Sequence, residues 1–285
     1  MKQQIHISLG AMVAGLCLFC GGAVWGEGAG AEPKTVSLAD VPAAVQRTIQ
    51  AQSKGGKLGE IERDEKEGEV TYSVGLTQDG KERDFAVAEN GRLSSVEVSL
   101  DETPEPVQKA IKTAVGGGIL DNIDKVLEEA GTNSFEVDMT TKSGEDRVFN
   151  VGIDGKLLRF QMALEELPPA VRKTIESQAG KPGDIFRSYE GGEMSYEVKL
   201  NQNGKERELS VGPGGNLESM QVFPAELPPV GQATLKEKVG AGKLIQIYKA
   251  FGENRAFMYH VESRKEGKAF DFLIGPGGRF RGLDQ

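Results

Sequence analysis

Apolar residues along this chain follow two spacings, and both spacings recur four times. In the first copy Val45 and Ile49 are four positions apart, which places them on one side of a helix. Farther on, Tyr72, Val74 and Leu76 alternate with polar residues, which is the period of a half-buried strand. Prolines stand at the start of each helical segment and glycines follow its end, as is typical of helix boundaries. The pattern therefore predicts one helix followed by several strands, four times over.

Short motifs mark the four copies and fix their order. In one motif an apolar residue, three variable residues, a glycine, one residue and an apolar residue follow each other, and the glycines are 64, 60 and 63 positions apart. These glycines are Gly91, Gly155, Gly215 and Gly278. An aromatic-x-Val triplet precedes each of them, with Tyr72, Phe135, Tyr196 and Tyr259 as the aromatic residues. The motifs divide the chain into predicted repeats at 36–99, 100–163, 164–223 and 224–285.

Turn residues predict how the strands of each repeat pair. Asp79-Gly80 is a strong signal for a two-residue hairpin, and it places Tyr72 opposite Val87 because both lie seven positions from the turn. The hydrophobic alternation, which is an independent observation, gives the same register. The same count predicts the pairs Tyr196 with Val211 and Tyr259 with Ile274, across turns at Asn203-Gly204 and Glu266-Gly267.

The predicted fold class is α+β, built as tandem repeats of one helix packed on a four-stranded antiparallel sheet. The second repeat is one residue longer at its hairpin, which predicts a three-residue loop around Lys142-Ser143-Gly144. Asp40 and Thr103 are the predicted N-caps of the first two helices. A single repeat of about 60 residues is marginal alone, and two or four repeats side by side can share a core.

The helix-then-hairpin order, the aromatic-x-Val strand and the turn at Asp154-Gly155-Lys156 resemble the PepSY-like family, which is similar to β-lactamase inhibitor proteins. The resemblance covers 36–285 in four copies. It implies a helix packed on an antiparallel sheet, export to the cell envelope and a binding role, with inhibition of a peptidase or β-lactamase as the specific hypothesis. It supplies no catalytic residues, and the two-unit layout of the inhibitors differs from the four copies here.

The first 31 residues have the layout of a secretory signal peptide. A basic start is followed by the apolar stretch 7–24 and by small residues that end at Ala31. We therefore predict a periplasmic or secreted protein that begins at Glu32. Both cysteines, Cys17 and Cys20, lie in the removed segment, so the mature chain has no disulfide and no cysteine nucleophile.

Composition narrows the function further. The net charge is −9 and the pI about 5.1, which argues against nucleic acid as the main ligand. One histidine, His260, remains in the mature chain, so we predict no catalytic residues, no cofactor and no metal site. The acidic run from Glu60 to Glu69 lacks the spacing of a calcium loop and predicts a solvated hairpin.

The favoured function is a non-catalytic envelope protein that binds another envelope protein, a peptidase or β-lactamase among the candidates. One alternative is a structural or small-ligand-binding envelope protein. A hydrolase built on paired carboxylates is the more distant alternative, because such chemistry needs only Asp and Glu. No segment of the mature chain is apolar enough over about 20 residues to span a membrane.

The fourth repeat carries the predicted interaction surface. It has a net charge of +3, whereas the first three repeats have −4, −5 and −3. Alternation points apolar residues outward there, where the other repeats have small or polar ones. The predicted surface residues are Met258, His260, Arg264, Lys268 and Leu273. The alternative is that this face packs against the neighbouring repeat.

Overall fold

The computed structural model of this protein describes residues 33–66, 69–127, 133–190, 192–252, 256–265 and 268–282. The predicted signal peptide and its cleavage site lie outside these ranges. The described residues divide into two compact units, and the division lies between Gln161 and Met162. We refer to the described parts of these units, 33–161 and 162–282, as the N-terminal unit and the C-terminal unit.

Among its described residues the N-terminal unit has two α-helices and nine strands. They follow the chain as β1 (Lys34–Thr35), α1 (Ala43–Gln52), β2 (Lys57–Lys66), β3 (Glu69–Gln78), β4 (Lys81–Ala88), β5 (Leu93–Glu97), α2 (Glu105–Val115), β6 (Ile119–Leu127), β7 (Asn133–Thr140), β8 (Asp146–Gly152) and β9 (Leu157–Gln161).

The described part of the C-terminal unit likewise has two α-helices and nine strands. They are α3 (Pro169–Glu176), β10 (Lys181–Glu190), β11 (Glu193–Gln202), β12 (Lys205–Val211), β13 (Leu217–Gln221), α4 (Pro229–Val239), β14 (Lys243–Phe251), β15 (Phe257–Lys265), β16 (Lys268–Ala269), β17 (Phe272–Ile274) and β18 (Phe280–Arg281).

The hairpin register predicted from turn chemistry is confirmed. Tyr72 pairs with Val87 in the first repeat, and Asp79 and Gly80 have φ values of +51° and +76°, which a two-residue turn of this kind requires. Tyr196 pairs with Val211 and Tyr259 with Ile274. The turn at Glu266-Gly267 lies outside the described residues.

The longer hairpin of the second repeat also has the predicted loop. The Thr141 N–H donates to the Glu145 carbonyl oxygen at 2.8 Å, and this bond encloses the three residues 142–144. Gly144 has a φ of +82°, a left-handed conformation that suits glycine at the end of such a loop.

The helix stripe and the four repeated aromatics form the core, as predicted. Val45 and Ile49 of α1 are fully buried against Tyr72 and the strand residues around it. The equivalent aromatics are only 2–7% exposed, namely Tyr72, Phe135, Tyr196 and Tyr259. Each predicted repeat thus has its own cluster of buried apolar residues on the side of the sheet that faces its helix.

The predicted fold class, α+β with tandem repeats of one helix packed on a four-stranded antiparallel sheet, is wrong. The described residues are mostly antiparallel strand, with eighteen strands in long open sheet and four short α-helices. In the N-terminal unit β5 pairs with β6, so the sheet continues from one predicted repeat into the next. In the C-terminal unit β13 pairs with β14 in the same way. A four-stranded sheet would leave a row of unpaired N–H and C=O groups at its edge, and the next strand satisfies them.

The predicted helix N-caps are also wrong. A short 3-10 helix precedes each α-helix, and Asp40 is the last residue of the first of these while Thr103 directly follows the second. The residues at the N-cap positions of α1 and α2 are Pro42 and Pro104. Residues 38–42 and 100–104 therefore form a turn of their own, which the apolar spacing of the helix does not reveal.

Helix and sheet are tied together by a recurring polar contact. In the third repeat Thr174 Oγ1 donates to the Gly215 carbonyl oxygen at 2.5 Å. Gly215 has a φ of +83°, and a Cβ atom there would lie 2.7 Å from the carbonyl carbon of Ala170 in α3. A Cβ atom added to Gly204, whose φ is +79°, would have no atom within 4 Å beyond its chain neighbours. Glycine at 215 is therefore required by packing as well as by backbone conformation.

A basic residue stands on the first long strand of each predicted repeat, two positions after a buried isoleucine. In the N-terminal unit Lys125 lies at the repeat junction, where it pairs with Val96 of β5. Lys249 pairs with Met220 of β13 in the C-terminal unit. The four residues, all half-buried, are Arg63, Lys125, Arg187 and Lys249.

Candidate functional site

Each strand buries alternate side chains against a helix and turns the intervening ones to the opposite side of the sheet. Phe135 and Val137 belong to the core, so Glu136 between them points away from the helices. His260 stands in the same way between Tyr259 and Val261. We call this side of each unit its helix-free face. The side chains on these faces lie outside the core, and the candidate binding residues are among them.

The predicted interaction residues lie partly together. His260 and Leu273 are directly paired across β15 and β17, and Met258 is two positions from His260 on β15. All three are half-buried, and the His260 side chain is 17% exposed. Arg264 and Lys268 are exposed. The structure therefore brings Met258, His260 and Leu273 together as neighbours on one face.

The two basic residues of the prediction do not share that arrangement. Arg264 pairs with Ala269, whereas Lys268 pairs with Lys265. Since alternate residues of a strand face opposite sides, Lys268 lies on the other side of the sheet from Arg264. Only Arg264 is in position to flank the three predicted surface residues.

His260 belongs to a line of paired residues that crosses the C-terminal unit. Gln221 pairs with Tyr248, Tyr248 with His260, and His260 with Leu273. We call these four residues the Tyr–His row. The Tyr248 hydroxyl is 2.8 Å from Glu208 Oε2, to which it donates, and Glu208 leads into the row through a bond from its N–H to Gln221 Oε1 at 3.2 Å.

Burial keeps the Tyr–His row uncharged at neutral pH. It lowers the pKa of His260, so the imidazole is neutral there. Burial also raises the pKa of Tyr248, and the nearby Glu208 carboxylate adds to that effect. Glu262 lies beside the row, with its Oε1 3.9 Å from His260 Nδ1, and burial raises its pKa as well. The row therefore offers a neutral surface of aromatic, imidazole and aliphatic groups.

A second line of residues crosses the helix-free face of the N-terminal unit. The Asp84 N–H donates to Glu97 Oε2 at 2.9 Å, Glu97 pairs with Asp124, and Asp124 pairs with Glu136. We call these four carboxylates the acidic row. Asn150 follows Glu136 on the next strand, and Arg159 follows Asn150. Four carboxylates thus stand on four adjacent strands.

Burial and the proximity of other carboxylates raise the pKa values of Asp84, Asp124 and Glu136. Burial raises the pKa of Asp124 to about 6, and the neighbouring Asp138 adds to the rise. Burial raises the pKa of Glu136 to about 7, although a hydrogen bond from Asn150 Nδ2 at 3.2 Å opposes it. Burial raises the pKa of Asp84 in the same direction. Asp124 and Glu136 therefore change charge over the range from weakly acidic to neutral pH.

The two rows share three equivalent positions in the repeated sequence, and from the sequence only His260 and Leu273 of the Tyr–His row were identified. Asp124 directly follows Ile123, as Tyr248 follows Ile247, and Glu136 is the middle residue of its aromatic-x-Val triplet, as His260 is. The signal was available in the middle residues of the triplets, combined with the hairpin register. What was missing is the pairing of β5 with β6, which brings Glu97 beside Asp124.

In the described ranges, no group of three or more His, Cys, Asp or Glu side chains is placed to hold an ion. None of the helices in these ranges is long and apolar enough to cross a membrane. On each helix-free face the half-buried and exposed side chains of the two rows are the ones that another molecule can reach.

The chain matches the model of a known family. The model of the family described as "Putative beta-lactamase-inhibitor-like, PepSY-like" matches residues 19–95 and 152–219, which together make up half of the chain. The matched stretches overlap the first and third predicted repeats. The resemblance deduced from the turn and triplet motifs is thereby confirmed. No curated protein sequence matches the chain.

Three solved structures from Bacteroides are similar to parts of the chain. A "putative periplasmic protein" of Bacteroides eggerthii is 15% identical, with 42% of this chain and 88% of that one covered and a TM-score of 0.34. One of unknown function from Bacteroides vulgatus is 16% identical, with coverages of 44% and 98% and a TM-score of 0.31. A DUF2874 family protein of Bacteroides ovatus is 14% identical, with coverages of 41% and 85% and a TM-score of 0.31.

Proposed function

Because the chain belongs to the PepSY-like family, we propose that it is an exported, non-catalytic protein of the cell envelope that binds a protein partner on the helix-free face of its C-terminal unit. The surface consists of Met258, His260 and Leu273, flanked by Arg264. Lys268 contributes charge from the opposite side of the sheet. Export follows from the predicted signal peptide, with cleavage near Ala31.

One observation carries this proposal, namely the His260–Leu273 pair. The equivalent pairs of the other three repeats are small or polar, and each pairing is present in the sheet. They are Ser73 with Ala86, Glu136 with Asn150 and Glu197 with Ser210. An imidazole and a leucine in this place, beside Met258, form the sort of apolar centre with a polar rim that protein interfaces use.

Charge suggests the nature of the partner. The fourth repeat has a net charge of +3 in an otherwise acidic chain, so an acidic patch on the partner would complement it. The specific proposal is inhibition of a peptidase or a β-lactamase. A carboxylate hydrolase is less well supported, because its acid and base would have to flank one substrate, whereas the carboxylates here stand in line along a sheet.

The test is partner capture with the mature chain, 32–285, carrying Met258→Glu and Leu273→Glu. Cross-linking in an envelope extract followed by mass spectrometry identifies the partner, and the purified partner is then assayed for inhibition. The proposal expects lost capture with unchanged thermal unfolding. Ser195→Glu is the matched control, because Ser195 holds in the third repeat the position of Met258 and is also half-buried.

Two results would overturn the proposal. Unchanged capture by the double variant would show that this face is not the binding surface. A collapse of thermal stability in the double variant, with the Ser195→Glu control intact, would show that the face is internal packing.

A further inference from the structure

The four carboxylates of the acidic row form a line of like charge in the N-terminal unit. Few basic side chains of that unit oppose this charge. Neighbouring strands lie about 4.8 Å apart, so the row from Asp84 to Glu136 extends over roughly 14 Å. The other charged groups that act on its members are mostly acidic as well: Glu82 on Asp84, and Asp138 on both Asp124 and Glu136. Arg159, two strands beyond Glu136, acts in the opposite direction.

The sheet itself does not require carboxylates at these positions. In the C-terminal unit the places of Glu97, Asp124 and Glu136 are taken by Gln221, Tyr248 and His260, and the strands pair in the same way. Like charges on paired strands repel each other and oppose folding. The carboxylates therefore lower stability, and the fold does not need them. We expect such residues to serve binding.

An unpartnered hydroxyl lies beside the row. Ser95 is two positions from Glu97 on β5, and alternation turns it to the same helix-free face. It is 1% exposed, and its Oγ has no hydrogen-bond partner among the described residues. Ionised carboxylates accept hydrogen bonds and cannot donate them. Within the unit the row accepts hydrogen bonds from the Asp84 N–H, Asn122 Nδ2 and Asn150 Nδ2, which occupy only a few of the acceptor positions of four carboxylates.

We propose that the acidic row binds a basic polypeptide segment of a partner, laid across the strands with Lys or Arg at alternate positions. Alternate side chains of an extended chain point the same way and are about 7 Å apart, so three of them span roughly the 14 Å of the row. Ammonium and guanidinium groups supply only donors, which matches the acceptors of the row. Asp84 is exposed and Glu97 and Glu136 are half-buried, so these three make contact.

Buried Asp124 adds its charge from beneath the contact surface. A divalent cation fits less well, because no group of three acidic side chains in the described ranges is placed to hold one. Binding requires ionised carboxylates, so affinity falls as the pH drops through the range in which the row takes up protons. The face involved belongs to the N-terminal unit, so this proposal is independent of partner binding at Met258, His260 and Leu273.

The test is calorimetric titration of the mature chain, 32–285, with the capped peptide Lys-Ser-Lys-Ser-Lys at low ionic strength and alkaline pH. The variant Glu97→Gln, Asp124→Asn, Glu136→Gln keeps the side-chain shapes and removes three charges. We expect its affinity for the peptide to fall at least about tenfold, because charge complementarity is lost. Glu208→Gln, in the C-terminal unit, is the matched control and is expected to leave the affinity unchanged.

Single Glu97→Gln, at a half-buried position, serves if the triple variant does not fold, with an expected loss of about threefold. Equal affinity of wild type and these variants would overturn the proposal, as would equal binding of the capped peptide Ser-Ser-Ser-Ser-Ser. Stoichiometric Ca²⁺ binding that excludes the lysine peptide would also overturn it, in favour of a metal site. Weaker peptide binding at about pH 5 than at pH 8 in the wild type alone would support it.

Discussion

The N-terminal and C-terminal units have the same core and opposite surfaces. Both bury equivalent aromatics, Phe135 and Tyr259 among them, beneath their helices. On the helix-free side one unit carries the acidic row and the other the Tyr–His row, which share three equivalent positions and the same strand pairing. The side facing the helix is therefore restricted by packing. The opposite side is free to vary, and it is where we expect binding specificity to lie.

The difference also gives the two units opposite responses to pH. Burial raises the pKa values of Asp124 and Glu136 above those of an unfolded chain, so the stability they contribute is complete at low pH and is lost as the pH rises through about 6 to 7. Burial lowers the pKa of His260, so its unfavourable effect develops as the pH falls below its ordinary value. The acidic row thus favours folding in acid, and His260 favours it at neutral pH.

The comparison presumes that a unit of two predicted repeats, and not one repeat, is the folding entity. We expect a fragment of residues 100–163 alone to show no cooperative thermal unfolding, whereas 33–163 and 164–285 each unfold cooperatively. One repeat of about 60 residues buries too little surface, and it loses the pairing of β5 with β6. Circular dichroism melting curves decide this, and a sharp melt of 100–163 at full stability would contradict it.

The equality of the two cores is tested by cutting their equivalent aromatics. Phe135→Ala and Tyr259→Ala should each lower the free energy of unfolding by roughly 3–5 kcal/mol, because both side chains are almost completely buried. Urea denaturation measures the loss. Tyr72→Ala and Tyr196→Ala extend the series. A loss below about 1 kcal/mol at two of the four sites would refute the shared register.

The glycine beneath each helix can be compared with a free glycine of the same conformation. Gly215→Ala and Gly204→Ala both place a Cβ at positive φ, which costs roughly 1–2 kcal/mol. Gly215→Ala also forces a contact with the backbone of Ala170, so we expect a further loss of roughly 1–3 kcal/mol. Denaturant unfolding of both variants gives the difference directly, and equal losses would show that α3 yields without cost.

Removing the charges of the acidic row should stabilise the N-terminal unit at alkaline pH. We expect Asp124→Asn with Glu136→Gln to raise the free energy of unfolding by roughly 1–2 kcal/mol at about pH 8 and by much less at about pH 4, where the carboxyl groups of the wild type are protonated. Urea denaturation of fragment 33–163 across this range is the measurement. A gain that does not change with pH would mean that repulsion in the row is not its source.

His260→Gln should produce a smaller change of the opposite kind. The variant lacks the group whose protonation disfavours folding, so fragment 164–285 should lose less stability than the wild type between about pH 7 and pH 5. Glu262 works against this effect, since burial raises its pKa. Thermal unfolding of the two chains over that interval tests it, and parallel pH profiles would exclude His260 as the cause.

Local signals in the sequence were enough to predict the hairpin pairing within a repeat. Asp79-Gly80 and the alternation around Tyr72 predicted the pairing with Val87, because a hairpin is fixed by its turn and by which side chains must be buried. The repeat junctions could not be predicted, since nothing local in β5 says that β6 will pair with it. The fold class was therefore wrong although the hairpins were right.

The candidate site was predictable to the same extent. His260 and Leu273 share a hairpin, so register alone brought them together. The acidic row joins Asp84 and Glu97 to Asp124 and Glu136 through a repeat junction, and it became visible only with the whole sheet. Lys268 was misplaced although the predicted hairpin register already pairs it with Lys265, which alternation turns away from His260.

The basic residue on the first long strand of every predicted repeat has a consequence for the chain during synthesis. Until its neighbour is folded, a repeat exposes that strand as an open edge that could pair with the wrong molecule. Charged residues on edge strands discourage such pairing. Lys125 and Lys249 stand in the middle of the junctions that are completed later, opposite Val96 and Met220. The same side chain therefore protects a half-made protein from aggregation and is half-buried in the finished one.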